Sequence, residues 1–218
     1  MHVFTNRAGI QMTESAKTEH RALVVICTMS CKEALIELVP EFEREHGYAV
    51  DITYGAGPEL AKKISSGIRA DIFVGPEEFS GPLIEEGRLV ESSRTAFAHS
   101  GAVLAVKEGA AKPDISSPQK LKEALLAAKL VKPRPGEMVG PVLVRGEADI
   151  GVQQPAELLP VPGVEIIGPL PPELRQTIVY GATVFTGSTQ REGNQAFVEF
   201  MRSPAARKVL HETGLDPV

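Results

Sequence analysis

Residues 22–28 form an unbroken apolar run closed by Thr28, the length of a strand buried on both faces. Behind it Ala34, Leu35, Leu38, Val39 and Phe42 recur at steps of three and four, which predicts an amphipathic helix over 31–46. Ser30 stands where an N-cap belongs and Gly47 where a helix stops. The same unit then repeats. A strand at 50–54 meets the turn Gly55-Ala56-Gly57-Pro58 and a helix at 59–66; a strand at 70–74 meets Gly75-Pro76 and a helix near 79–86. Three strand–turn–helix units predict right-handed crossovers and a parallel sheet covered on both faces.

Beyond Gly87 the pattern becomes more broken. Short strands are expected at 95–98 and 102–106, a helix at 118–130, and an irregular Pro- and Gly-rich link at 131–141. Residues 149–153 and 164–167 read as short buried strands, 168–172 as a rigid connector and 177–185 as a long strand. Helices at 190–201 and 204–213 close the chain. The first 21 residues are polar and mixed, which predicts a flexible segment. They lack the apolar centre of a secretory signal, so a cytoplasmic location stays open. No stretch approaches the ~20 apolar residues of a membrane span.

Composition narrows the function classes. The 218 residues carry 23 Lys and Arg against 28 Asp and Glu, a formal charge of −5, the opposite of a phosphate-backbone binder. Trp is absent and aromatic residues make up 5%, so base-stacking surfaces are scarce and no nucleic-acid partner is expected. Cys27 and Cys31 are too few for a disulfide framework, and without a neighbouring His they make a poor metal site. They read as core or turn residues, or as a redox-sensitive pair if the turn brings the sulfurs together. No metal and no cofactor is expected.

Ligands of open parallel sheets bind outside the carboxyl ends of the strands. Here those ends carry Thr28-Met29-Ser30, Gly55-Ala56-Gly57-Pro58 and Gly75-Pro76, each offering backbone amides at the start of a helix. Such amides form an anion site without positive side chains. The alternative is that the turns merely connect strand to helix. Gly55-x-Gly57 lacks the third glycine of a dinucleotide fingerprint, and no Gly-Lys-Ser/Thr follows it. The sequence holds neither a nucleophile elbow nor a His-Glu-x-x-His helix, and Glu77-Glu78 reads as a solvated pair. An enzyme is not expected.

The stretches VVICTMSCKEALIEL (24–38), 52–60, ADIFVG (70–75) and RGEADIGV (145–152), in this order and spacing, resemble the molybdate-type solute-binding proteins of ABC transporters. The resemblance implies a type II periplasmic-binding-protein-like α/β fold, with two lobes around a cleft and a periplasmic location. One lobe would comprise 22–98 plus 177–218 and the other 99–176. It implies a small oxyanion such as molybdate or tungstate, or a related small polar solute. Thr28, Ser30, Gly55, Ala56, Gly57, Gly75, Gln153 and Gln154 would surround it, and a transporter permease would be the partner. At the second turn the family's hydroxyl is lost at Gly57 and one amide at Pro58. Around 129–141 the chain is shorter than the family by ~30 residues, about one βα unit, so an abridged second lobe is expected. The edge this leaves would be covered by the Pro-rich link or by a second copy in a homodimer. The other reading is a ligand-sensing or protein-interaction module on the same fold, without transport.

Overall fold

The computed structural model describes residues 22–132, 134 and 137–218. The N-terminal segment 1–21, expected to be flexible, lies outside the described residues. The unit read first in the sequence builds the centre of the larger sheet. β1 (Leu23–Thr28) pairs in parallel with β2 (Val50–Gly55) on one side and with β3 (Ile72–Pro76) on the other. Val25 and Cys27 pack under α1 (Lys32–His46) with Leu35, Leu38 and Phe42, while Ile26 faces the opposite layer. There it meets Leu60 and Ile64 of α2 (Gly57–Ser65) and Leu83 of α3 (Glu77–Glu85). Burial on both faces is what the apolar run of β1 requires.

The sheet is not wholly parallel. Its order is β2-β1-β3-β8-β4-β9, in which β8 (Ile178–Val184) runs antiparallel to both β3 and β4 (Thr95–Ser100). The reason is the route of the chain. It leaves this sheet at Ser100 and re-enters at Ile178, and these residues are partners in the ladder. Strands that leave and return at the same end must be antiparallel. β9 (Asp216–Pro217) completes the edge.

The excursion between them forms a second sheet of order β6-β5-β7, all antiparallel: β5 (Val103–Lys107), β6 (Gly151–Gln153) and β7 (Val164–Pro169). Leu121 of α4 (Pro118–Ala127) packs on one face. Val142 and Leu143 of α5 (Val139–Val144) and Leu158 of α6 (Pro155–Leu158) pack on the other. Between α4 and α5 no strand occurs among the described residues. Lys129 and Asp149 exchange hydrogen bonds there, backbone to carboxylate at 2.6 Å and backbone to backbone at 3.1 Å, tying the link to the approach of β6. Part of what reads as an irregular link is thus the helix α5.

α7 (Arg191–Phe200) and α8 (Pro204–Glu212) return over α1, where Phe42 meets Phe197 edge to face at 5.2 Å. Ser30 is not a helix cap, contrary to the sequence reading. It sits inside a 3-10 turn (Met29–Cys31), and α1 starts after Cys31 without a side-chain cap. The extra turn moves the helix start past the serine, whose hydroxyl shares a hydrogen bond with the Thr28 hydroxyl instead.

Candidate functional site

A cavity of about 430 Å³ opens at the carboxyl ends of β1, β2 and β3, between the two sheets. Thr28, Ser30, Gly55, Ala56, Gly57 and Gln154 line it, so most of the residues singled out in the sequence are brought together. Thr28 and Ser30 are buried, their hydroxyl oxygens 3.4 Å apart. Gly75 does not line the cavity. It lies behind Thr28, and a methyl group there would come within 2.6 Å of Thr28 Cγ2, so its role is to leave room for that side chain. Gly57 acts similarly, because a methyl group on it would overlap the ring of Phe79, which forms part of the cavity wall.

Gln153 also stands apart from the lining. Its Oε1 accepts from the Val139 amide at 2.9 Å, and its Nε2 donates to Glu157 Oε2 at 2.6 Å. The amide orientation is therefore fixed, and Gln153 positions Glu157, which does line the cavity. Burial pushes the Glu157 carboxyl above its ordinary range, and the Gln153 hydrogen bond partly opposes this.

Tyr180, in the middle of β8, was not foreseen. It is fully buried and lines the cavity, and its hydroxyl has no hydrogen-bond partner. The Ser30 side chain lies beside it without meeting hydrogen-bond geometry. Nothing in TIVYGATVF marks that residue, because its place at the cavity depends on β8 inserting beside β3, opposite Pro76. Glu157 was missed because α6 is too short to show periodicity.

The helix starts that face the cavity share one property. Ala56 and Pro76, the N-cap residues of α2 and α3, line it, and neither helix has a side-chain cap. Away from the cavity, Ser117 and Ser203 cap α4 and α8 with their hydroxyls. First-turn amides at α2 and α3 are thus left for a ligand or water. No Lys or Arg is among the described lining residues, but Glu59, Glu78, Glu137 and Glu157 are. Glu59 is paired with Lys63 at 2.8 Å and Glu137 with Arg145 at 2.6 Å. Among the described residues no cluster suited to a metal ion occurs, and no helix is long and apolar enough to cross a membrane.

A larger hollow, about 800 Å³, lies at the opposite end of the sheet around Val24, Asp71, Arg88 and Thr186. Its buried Asp71 is occupied structurally, accepting from the Val24 amide and the Ser188 hydroxyl at 2.9 and 2.7 Å. The smaller cavity, where strand ends and uncapped helix starts converge, is the candidate site.

The sequence similarities agree with this architecture. An aconitate isomerase of a Pseudomonas species is 27% identical, covering 90% of this chain and 88% of its own. YvgL of Bacillus subtilis, named for the ABC transporter substrate-binding lipoproteins, is 22% identical over 95% of this chain and 92% of its own. The periplasmic molybdate-binding protein of Azotobacter vinelandii superposes with a TM-score of 0.69 at 19% identity, over 88% of this chain and 98% of its own. At that identity the superposition speaks for the fold alone, that of a type II periplasmic binding protein. The family model of the bacterial extracellular solute-binding proteins matches residues 23–139 and 126–216, nearly the whole described chain, and to that family this protein belongs.

Proposed function

We propose that the chain is the extracytoplasmic receptor of an ABC transporter and captures a small oxygen-bearing anion in the cavity between its two sheets. One observation carries this reading: Thr28, Ser30 and Tyr180, each with a hydroxyl, and the uncapped starts of α2 and α3 line one cavity. These are neutral donors, able to hold an anion without a cationic side chain. In this reading 22–98 with 177–218 form one lobe and 99–176 the other, abridged one, and a permease is the partner. Leu126 and Leu130, 77% and 56% exposed beside the shortened link, are the surface a second copy would cover. Molybdate and tungstate are candidate ligands from the resemblance of the sequence to the molybdate-type binding proteins. Titration calorimetry with molybdate, tungstate, sulfate and phosphate tests the reading. Absence of heat with all of them, at protein well above micromolar, removes the oxyanion.

We infer binding rather than turnover. An isomerase acting on a tricarboxylate must hold three negative charges, and the described residues around this cavity offer carboxylates instead of Lys or Arg. Incubation with either aconitate isomer should give no interconversion. Measurable interconversion would place this chain with its Pseudomonas relative.

A further inference from the structure

Of the carboxylates around the cavity, Glu59 and Glu137 are neutralised by Lys63 and Arg145, and Glu78 is exposed. Glu157 differs from all of these. It is half-buried on α6, which packs against the Met29–Cys31 turn, so it lies on the same cavity as Ser30. Gln153 occupies its Oε2, and its other oxygen accepts no hydrogen bond among the described residues. The second independent feature is Tyr180, which lines the same cavity and whose fully buried hydroxyl has no hydrogen-bond partner among the described residues. The site therefore pairs hydroxyl and amide donors with a half-buried acceptor at Glu157.

That combination is selective. Sulfate, molybdate and succinate present only acceptor oxygens at neutral pH. In this cavity they would satisfy Ser30 and Tyr180 but set acceptor against acceptor at Glu157. An anion that carries its own O–H satisfies both sides at once. We infer that the site selects oxyanions bearing a hydrogen-bond donor, of the kind represented by hydrogen phosphate or a hydroxycarboxylate, with Glu157 accepting from that donor. This rests on the anion-binding reading above and names its substrate class. Burial of Glu157 strengthens the argument, because a desolvated carboxylate gains more from a matched donor.

The test is calorimetry on the full chain with two matched pairs, phosphate against sulfate and L-malate against succinate. The O–H-bearing member of at least one pair should bind at least ten-fold more tightly, and the pair that responds identifies the source of the chemistry. Glu157→Gln, whose amide can both donate and accept, should reduce that preference to under three-fold, with thermal unfolding confirming that the variant is folded. Equal or tighter binding of both sulfate and succinate by the parent overturns the inference whether or not the variant folds. An unchanged preference in a folded Glu157→Gln overturns the role of Glu157. No heat with any of the four ligands overturns the inference, and no heat with molybdate or tungstate besides removes the anion-binding reading itself.

Discussion

Replacing Tyr180 by Phe deletes one oxygen and leaves the ring in place. That oxygen is fully buried and without a hydrogen-bond partner among the described residues, an arrangement that costs about 1–3 kcal/mol. Because the Ser30 side chain lies beside it, only part of that penalty is recoverable, and we expect Tyr180→Phe to stabilise the empty protein by ~1 kcal/mol. For a chain of this size the melting temperature should rise by about 2–4 °C. If the hydroxyl is held in reserve for a ligand, affinity should move the other way. Loss of one donor costs ~1–1.5 kcal/mol, roughly ten-fold in Kd. Circular dichroism melts without ligand, and calorimetry with phosphate, read the two effects separately. A variant that melts several degrees lower and binds phosphate as the parent does would show that the hydroxyl serves the fold, and the argument would be wrong.

Other substitutions probe how the cavity is shaped. Gly57→Ala drives a methyl group into the Phe79 ring, so it should cost about 1–3 kcal/mol in denaturant titrations and narrow the cavity. Gly214, at φ +89°, lies against α6, where a methyl group would stand 2.7 Å from the Ala156 backbone nitrogen. Gly214→Ala should therefore lower stability by about 1–3 kcal/mol through strain at a positive φ alone, and also weaken ligand binding by displacing Glu157 and Gln154. For Glu157 the sign follows from its raised pKa. The folded state holds the proton more tightly than the unfolded one, so this residue's contribution to stability falls as pH rises from the ordinary glutamate range through the raised value. Melting curves of the parent and of Glu157→Gln between pH 4 and 7 should show the variant's advantage at neutral pH shrinking as the medium is acidified.

Where burial alone decides the structure, the sequence was readable. The run 22–28 could only be a strand covered on both faces, and it lies between two layers of helices. The Phe42 stripe and the Gly47 stop were equally direct, because an amphipathic helix announces itself within its own residues. The turns at Thr28, Gly55 and Gly57 could be placed together at the candidate cavity for the same reason, since strand-to-helix turns are local. What could not be read depends on distant parts of the chain. The direction of β8 follows from where the chain re-enters the sheet, and Tyr180 joins the cavity only through that insertion. Gln153 and Gln154 could not be separated, because β6 is only Gly151–Gln153 and too short for its alternation to fix the face. Ser30 looked like a cap, and a single 3-10 turn was enough to give its hydroxyl to the cavity.

The position of β8 also governs when this protein can fold. It lies between β3 and β4, and its ladder joins Ile72 to Val184, residues 112 apart. Until that strand is made, β3 and β4 each present an open edge, and closing so long a loop is entropically costly. At ribosomal speeds of ~5–20 residues per second those 112 residues take roughly 6–22 s to appear. Folding of the large sheet is therefore a late, high-contact-order event, scheduled near the end of synthesis. A chain cut off before residue 178 is left with two unpaired edges, those of β3 and β4, each open to pairing with another chain.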